Sequence, residues 1–520
     1  MNRAEICSRI RSHRAVWDIV VIGGGATGVG AAIDAAARGY DVLLFEQSDF
    51  GKGASSRSTK LVHGGVRYLE HGNLSLVMEA LKERGLLLRN APHLVHNLGF
   101  MVPRYDWWEA PFYGVGLKLY DLLAGKYGFG SSQILSPEQT RAYLPTIEPE
   151  GLRGGVLYFD GQFDDARLLI AMVATAFEQG ATLLNYAAVE GFAKDAHGFV
   201  NGVVAADAET GEQYRAGARV VINATGAFSD NLRWQADRDA SPLIAPSQGV
   251  HLVLDRSFLP GTTAILVPHT SDGRVMFAIP WHGHTLVGTT DTPIAEPTLE
   301  PVAMEQEVDF LLSTSARYLA KKPARADVLS VFAGIRPLVR GARMSNTAAL
   351  ARDHVVHIDP SGLVTICGGK WTTYRKMAED CVNQAATLAH LEDRASVTDH
   401  LNIHGFHNAA GKFGDLAIYG ADAPEVRKLA DENPSLNALL DPSLPYIAAE
   451  VVWAVRMELA RTVEDVLARR TRALFLNAGA ALKMAPGVAE LMARELGAGE
   501  AWKSRQLAAF EAIAANYQLH

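Results

Sequence analysis

The chain has 520 residues, 48% hydrophobic and 20% charged, which is the composition of a globular protein too long for a single compact core. Its formal net charge of −8 argues against nucleic acid as a general partner. The three cysteines, Cys7, Cys367 and Cys381, have neither the even count of a disulfide framework nor the paired spacing of a zinc site. We therefore expect a reducing compartment and no metal centre.

Neither a targeting signal nor a membrane span is expected. The first 16 residues contain four arginines and no apolar run, which differs from a secretory signal. No stretch of about 18 apolar residues occurs in the chain, so a spanning helix is not predicted. Peripheral attachment to a membrane stays open.

The first predicted elements form a βαβ unit. A strand at Asp18–Ile22 is followed by a glycine-rich turn, an alanine-rich helix and a second strand at Asp41–Glu46. Two later strands, Arg219–Ala224 and Leu363–Cys367, also end in small residues, and the second leads into a helical pattern at Thr373–Leu388. These distant strands predict one nucleotide-binding domain with other segments inserted into it.

The turn of the βαβ unit carries the pattern Gly23-x-Gly25-x-x-Gly28. Gly23 permits a tight turn, Gly25 lets a pyrophosphate approach the backbone, and Gly28 allows the helix to pack closely on the strand. Glu46 ends the second strand, where a carboxylate can accept both ribose hydroxyls and repel a 2′-phosphate. The combination predicts dinucleotide binding, and the alternative is a glycine-rich turn without a ligand.

FAD is favoured over NAD because only one such pattern occurs in the chain. The strand end Ala224-Thr225-Gly226 and the late Gly368-Gly369 before a helix complete an FAD site. The N-terminus of that helix can face the flavin N1/C2 oxygen and stabilise the reduced ring. A polar run after the second strand is expected to wrap the pyrophosphate and flavin, unless it is a solvated loop. The residues predicted to bind the cofactor are Gly23, Gly25, Gly28, Glu46, Ser55, Ser56, Ser58, Thr59, Gly226, Gly369, Lys370, Thr372 and Thr373.

The inserted segments differ from the nucleotide-binding part. Residues 240–330 contain alternating stretches typical of antiparallel strands, at His251–Leu254, Arg274–Ile279 and Thr285–Thr290. From about residue 395 the pattern becomes helical, at Tyr446–Arg470 and Val488–Tyr517, with a break expected at Pro486-Gly487.

These patterns predict an α/β protein of three domains. A Rossmann-like FAD-binding domain comprises residues 16–90, 156–240 and 331–390. A substrate-binding and membrane-facing domain with an antiparallel sheet comprises residues 91–155 and 241–330. Residues 395–520 form a helical C-terminal domain, which has no role that the sequence reveals.

Seven segments occur in an order that resembles the aerobic FAD-dependent glycerol-3-phosphate dehydrogenases. They are DIVVIGGGATGVGAAIDAAARG, SSRSTKLVHGGVRYLEHGN, YFDGQFDDARL, VINATGAFSD, LVGTTDT, FAGIRPL and CGGKWTTYRKMAED. The similarity runs from about residue 17 to 390, and more faintly into the helical part. It implies a fold like that of glycine oxidase and D-amino-acid oxidase.

The resemblance also implies an activity. Such a protein oxidises sn-glycerol 3-phosphate to dihydroxyacetone phosphate by hydride transfer to flavin N5, and passes the electrons to membrane quinone. It binds the membrane from one side, so we expect the cytoplasmic face of the inner membrane, or the cytoplasm. The alternative is an FAD oxidase that uses oxygen and acts on glycerol 3-phosphate, an amine or an amino acid. The oligomeric state stays open, with a homodimer as one option.

Removing a hydride and a proton from a phosphorylated alcohol needs a base and cationic anchors. His63 is the candidate base, and Arg67 offers a fork that fits phosphate. Arg336 and Lys370 follow strands directed towards the flavin, where one can polarise the C2 oxygen while the other holds phosphate. The alternatives are a packed histidine, a structural ion pair for Arg336 and a flavin contact for Lys370. The predicted catalytic residues are His63, Arg336 and Lys370, and the predicted substrate-binding residues are Arg67, Tyr68 and, through the resemblance, His251 and Arg352.

An aromatic segment with a few basic residues suggests a membrane-landing surface. It includes Tyr105–Trp108 and Phe112–Tyr120, with Arg104 and Lys126 nearby. Tyrosine and tryptophan favour the bilayer interface, and quinone lies in the hydrocarbon layer. The alternative is that these aromatic side chains pack inside the substrate domain.

Overall fold

The computed structural model describes residues 1–65, 74–105, 109–268, 270, 275–340 and 354–519, with the backbone alone described for 109–115 and 126. Two sheets and a helical C-terminal region organise these residues.

The first sheet has a parallel centre, as predicted for a Rossmann-like domain. Its central strands are continuous apolar runs, and Ile19, Val20 and Val21 are fully buried, as expected for a sheet covered on both faces. From edge to edge its strands are His354–Ile358, Val364–Gly368, Gln213–Asn223, Trp17–Ile22, Val42–Phe45 and Thr182–Leu184. The four pairs from Val364–Gly368 to Thr182–Leu184 are parallel, and His354–Ile358 is an antiparallel edge strand. Two further antiparallel strands, Ala187–Lys194 and Val200–Asp207, extend the sheet from Gln213–Asn223.

Helices cover this sheet closely. Helix Ala26–Ala37 contacts both Tyr374–Leu388 and Asp165–Glu178. At its contact with Tyr374–Leu388 a Cβ on Gly30 would lie 3.0 Å from the Tyr374 ring, so a small residue is needed there. The predicted helix at Thr373–Leu388 is confirmed, and it begins one residue later, at Tyr374.

The second sheet is antiparallel except where Thr263–Val267 runs parallel to Val95–Pro103. It confirms strands at the three predicted places in residues 240–330, as Ile244–Asp255, Met276–Trp281 and His284–Gly288. The predicted start of the second at Arg274 lies outside the described residues, and the third ends at Gly288, two residues before the predicted Thr290. The remaining strands are Leu61–Val62, Gln133–Leu135, Gly155–Phe163, Thr292–Pro293 and Val328–Val339.

The domain division stays a prediction, but sheet membership differs from it at three strands. One of them is the short Leu61–Val62, which pairs with Gly155–Phe163 although residues 16–90 were assigned to the cofactor domain. Gly155–Phe163 and Val328–Val339 pair within the second sheet, although most of their residues were assigned to the cofactor domain. Both are apolar runs, and such a run does not reveal which sheet supplies its partner.

The C-terminal region is helical, as predicted, but its breaks lie elsewhere. Helix Ala478–Leu496 runs through Pro486-Gly487, so the predicted break there is wrong. A proline inside a helix removes one hydrogen bond, yet its neighbours Met484, Ala485, Val488 and Ala489 are all buried, and their packing offsets the loss. The predicted helix at Tyr446–Arg470 is divided into Ala448–Met457 and a π-helical turn at Asp465–Arg470.

The other helices connect or cover these units. They are Arg3–Ser12, Leu74–Asn90, Glu109–Ala124, Pro137–Tyr143, Ser229–Ala236, Glu305–Tyr318, Ala423–Glu432, Ala473–Leu476 and Glu500–Ala515. Across the described ranges, no helix has the length and apolarity needed to cross a bilayer. Cys7, Cys367 and Cys381 are buried free thiols.

Candidate functional site

A cleft opens at the carboxyl ends of the parallel strands, where ligands bind in open α/β sheets. Gly23, Glu46, Ala224 and Gly369 follow four neighbouring strands and all line it. Gln235 and Lys370 also line the cleft, and residues connected to both sheets complete its wall.

The glycine turn exposes backbone because its glycines leave no room for side chains. Gly23 has φ +110°, and a Cβ on Gly28 would lie 1.9 Å from the Gly23 carbonyl oxygen. A Cβ on Gly25 would lie 3.0 Å from Ser55 Oγ, which accepts a hydrogen bond from Ala26 N–H at 2.9 Å. The N-terminus of helix Ala26–Ala37 therefore presents backbone N–H groups to the cleft, the arrangement that a diphosphate requires.

Glu46 borders the same part of the cleft. Its Oε2 accepts a hydrogen bond from Gly24 N–H at 2.6 Å, and its Oε1 accepts one from Ser48 N–H at 2.8 Å. Burial raises the pKa of the carboxyl, and the two backbone hydrogen bonds counteract that effect. Each oxygen keeps a lone pair for a further donor, so the carboxylate fits a ribose diol.

Another part of the cleft wall is formed by the turn before helix Tyr374–Leu388. Gly368 and Gly369 have φ of +77° and +69°, and the next residue, Lys370, lines the cleft. Trp371 Nε1 donates to the Ser55 carbonyl at 2.9 Å. Thr372 Oγ1 accepts a hydrogen bond from His63 N–H at 3.1 Å, so this turn brings His63 close to the Lys370 segment.

The polar run after the second strand faces two directions. Ser55 lines the cleft, and so does Gly226, which follows strand Gln213–Asn223 and is not part of this run. The Ser56 carbonyl accepts from Lys60 Nζ at 2.8 Å, and Ser58 Oγ donates to Asp165 at 2.7 Å. Neither side chain lines the cleft, nor do those of Thr59, Thr372 and Thr373. A buried Lys60–Asp165 ion pair of 2.7 Å directs this half of the loop inward.

Arg336 lies on strand Val328–Val339, between Ile335 and Pro337, which both line the cleft. Since side chains alternate along a strand, Arg336 points to the other face. Its Nη2 donates to Thr289 Oγ1 at 3.0 Å, and its Nη1 lies 3.3 Å from Asp291 Oδ1. The ion pair considered as an alternative is therefore present, and the guanidinium is one-third exposed.

His251 is buried beside the same sheet. Its Nε2 lies 3.0 Å from Thr59 Oγ1, and its ring stacks on Phe332 at 4.9 Å. Burial, with the positive charges of Lys60 and Arg336, holds its pKa well below the usual range, so the ring is neutral. The predicted Arg67, Tyr68 and Arg352 lie outside the described residues.

One basic cleft residue, Lys52, was missed by the sequence analysis, whereas Arg57 belongs to the predicted polar run and Trp371 to the predicted helix N-terminus. Lys52 and Arg57 line the cleft beside Ser55, and Trp371 lines it next to Lys370. The sequence could have pointed to Lys52 through its position, because basic residues in a loop that follows a glycine turn suit a diphosphate.

Comparison with known proteins gives consistent results across the chain. The family described as FAD dependent oxidoreductase matches residues 18–375, and the C-terminal domain of alpha-glycerophosphate oxidase matches residues 364–504. A mitochondrial glycerol-3-phosphate dehydrogenase of Homo sapiens is 42% identical over 94% of this chain and 72% of its own length. One of Arabidopsis thaliana is 40% identical over 94% of this chain and 84% of its own.

Solved structures agree with these relatives. The glycerol-3-phosphate dehydrogenase from Bacillus halodurans complexed with FAD is 30% identical, with a TM-score of 0.81 over 99% of this chain and 98% of that one. Glycine oxidase from Geobacillus kaustophilus, 20% identical with a TM-score of 0.54 over 74% of this chain and 98% of that one, shares the fold. The glycine cradle, the Glu46 carboxylate and the helix N-termini at the cleft fit FAD as the cofactor. The chain belongs to the FAD-dependent glycerol-3-phosphate dehydrogenase family.

Proposed function

We propose that this protein oxidises sn-glycerol 3-phosphate to dihydroxyacetone phosphate and passes the electrons to membrane quinone. The observation that carries the proposal is the turn Gly368–Thr373. It places Lys370 in the wall of the FAD cleft and holds His63 through the hydrogen bond from His63 N–H to Thr372 Oγ1. The turn thus brings Lys370 and the backbone of His63 to the same part of the cofactor site.

Each residue has a proposed task. Bound FAD supplies the acceptor for the hydride that leaves substrate C2. His63 takes the hydroxyl proton, because an imidazole titrates near the working pH. Lys370 polarises the C2 oxygen or binds the phosphate. Arg336, whose side chain lies on the strand face away from the FAD cleft and pairs with Asp291, is proposed to contact the substrate from the second sheet.

The test is anaerobic reduction of the bound flavin. Glycerol 3-phosphate is expected to bleach the flavin absorbance, whereas glycine and D-amino acids leave it unchanged. A ubiquinone analogue then restores the colour faster than oxygen does. Bleaching by an amino acid in place of glycerol 3-phosphate would contradict the substrate, and faster recovery with oxygen would contradict the quinone.

We further propose that the enzyme meets the membrane through the helices Leu74–Asn90 and Glu109–Ala124. Four large apolar side chains are exposed on them, Leu74, Met78, Leu119 and Leu122, and Leu122 is 76% exposed. The net charge of −8 disfavours purely electrostatic attachment, so apolar insertion carries the binding.

The aromatic part of this prediction needs a correction at Tyr120. The side chain is buried, and its hydroxyl donates to Asp160 and accepts from Gly64 N–H, each at 2.8 Å. Tyr120 thus ties its helix to the segment next to His63, as the packing alternative expected. Trp107 and Trp108 lie outside the described residues, and the side chain of Phe112 is not described.

The position of helix Leu74–Asn90 beside the turn that is expected to face the flavin supports the quinone route. Helix Leu74–Asn90 contacts the turn Trp371–Thr373. Leu119→Ser combined with Leu122→Ser is expected to release the protein from liposomes while dye-linked activity stays normal. The matched control is Leu439→Ser, which removes a 53%-exposed leucine of the C-terminal region. Flotation of the double variant with liposomes at the wild-type level would contradict this surface.

A further inference from the structure

Glu300 lies in the segment that connects a strand to a helix, and this segment forms part of the wall of the cofactor cleft. Residues 295–303, here called the strap, lie between strand Thr292–Pro293 and helix Glu305–Tyr318 and have no regular secondary structure. Thr298, Leu299 and Pro301 of the strap line the FAD cleft. The ends of the strap are anchored to the second sheet, because Ile294 N–H donates to the Pro246 carbonyl at 3.1 Å and Gln248 Nε2 donates to the Val302 carbonyl at 3.0 Å.

The opposite wall is the cofactor loop, residues 51–57, which lines the cleft with Lys52, Ser55 and Arg57. Its two cations are both paired with Glu300. Arg57 Nη2 lies 2.7 Å from Glu300 Oε2, and Lys52 Nζ lies 3.3 Å from Glu300 Oε1. A single carboxylate therefore joins the strap to the cofactor loop.

The pairs lie where charge interactions are strong. The side chain of Arg57 is 3% exposed, that of Lys52 is 16% exposed and that of Glu300 is 22% exposed. Water screens such groups less than it screens surface ions. Lys52 also pairs with Glu464 of the C-terminal region at 2.7 Å, so the cofactor loop is held from two sides.

We propose that Glu300 is a positioning residue for FAD: its ion pairs close the strap against the cofactor loop, and they must open before FAD can leave. Glu300 touches neither substrate nor reacting atoms; it acts through Arg57 and Lys52. The proposal rests on the FAD site and extends beyond the proposed substrate, because it concerns retention of the cofactor.

A purely electrostatic effect would have the opposite sign. Removing the Glu300 charge leaves Lys52 and Arg57 less neutralised, and the diphosphate of FAD would then be attracted more strongly. A positioning role predicts weaker retention. The direction of the change therefore separates the two explanations.

The experiment measures release of FAD from the holoenzyme on dilution, followed by the rise of flavin fluorescence. Glu300→Gln is expected to speed release about tenfold, since it removes a charged partner from two partly buried groups. The control is Glu305→Gln, which breaks the exposed pair with Arg325 at 2.7 Å and should release FAD as the wild type does. Unchanged or slower release from Glu300→Gln would overturn the proposal.

Thermal unfolding in excess FAD separates a general loss of stability from faster release. Failure of glycerol 3-phosphate to bleach the flavin would contradict the proposed function and leave this result unaffected.

Discussion

The glycine turn and the cofactor loop border the same cleft but are held in place by different forces. The turn at Gly23–Gly28 is fixed by backbone packing, since a Cβ on Gly28 would collide with the Gly23 carbonyl oxygen. The cofactor loop, residues 51–57, lies within residues 48–60, and this longer segment is instead held by buried charges from elsewhere in the chain. Asp49 pairs with Arg469 and Arg470, and the Ser56 carbonyl accepts a hydrogen bond from Arg472 at 2.9 Å. One part of the wall depends on local shape and the other on distant partners.

The C-terminal helices supply the distant partners of the cofactor loop. Arg469 also pairs with Glu464 at 2.6 Å, and Lys52 reaches the same carboxylate. Burial alone would raise the pKa of Asp49, but the guanidinium groups of Arg470 and Arg469 hold it below the ordinary value. The C-terminal region thus braces the cofactor loop.

The largest effect is expected for Gly28→Ala, which tests the wall held by shape. The added Cβ would lie 1.9 Å from a backbone oxygen, so helix and strand must separate. We expect the purified protein to contain no FAD, measured as flavin absorbance per chain. Gly487→Ala is the control, because a Cβ there meets nothing within 4 Å. A yellow Gly28→Ala protein with full flavin content would contradict the packing argument.

Asp49→Asn tests the wall held by charge. Two buried guanidinium groups would lose their shared partner, and such a loss costs about 3–5 kcal/mol of stability. The urea midpoint should fall accordingly. Glu212→Gln breaks the exposed Arg11 pair and should leave the midpoint nearly unchanged. Equal midpoints for the two variants would mean that the buried network does not stabilise the fold.

Lys370→Ala sharpens the comparison, because Lys370 lines the cleft but belongs to neither the glycine turn nor the cofactor loop. Loss of a charged contact to phosphate or to the developing oxyanion should cost about 2–4 kcal/mol of transition-state stabilisation, or about thirty-fold and upwards in kcat/KM. FAD content and the urea midpoint should change little. Steady-state kinetics of Lys370→Ala beside Lys412→Ala, an exposed lysine distant in sequence, provide the measurement. Matching kinetics would remove Lys370 from the site.

The smallest effect concerns His404, which links helix Asp165–Glu178 to the C-terminal region. Hydrogen bonds to Asp422 at 2.7 Å and Glu178 at 2.6 Å raise its pKa from 6.5 to about 9. A raised pKa means that the stabilisation is complete below pH 6.5 and is lost as the pH rises towards 9. Because the ring is partly exposed, we expect about 1 kcal/mol. Urea unfolding of His404→Gln across this range should lack that decline; an identical decline would assign it to another group.

The two walls also differ in how far the sequence predicts them. The turn could be predicted because Gly23, Gly25 and Gly28 are adjacent and each answers a local steric demand. Asp49 is more than 400 residues from Arg470, and a pattern of alternating charges in a helix is normally a solvated face, so their pairing has no local signal.

Within the candidate site, the sequence likewise does not predict the direction in which some side chains point. A strand before Arg336 was expected, but Arg336 lies within that strand, and the face to which its side chain points depends on the register with Ile244–Asp255. Similarly, the polar run Ser55–Thr59 was expected to wrap the cofactor. The buried Lys60–Asp165 pair, about 100 residues apart in sequence, directs Ser58 inward instead.

The strand order of the first sheet has a consequence for biosynthesis. Trp17–Ile22 pairs with Gln213–Asn223, which in turn pairs with Val364–Gly368. At translation speeds of roughly 5–20 residues per second, Lys370 leaves the ribosome roughly 20–70 s after Gly28. Until Thr182–Leu184 and Gln213–Asn223 emerge and pair with its two strands, the first βαβ unit waits with unpaired strand edges, which are prone to aggregation. This nascent chain should therefore engage chaperones, and flavin can be captured only late in synthesis.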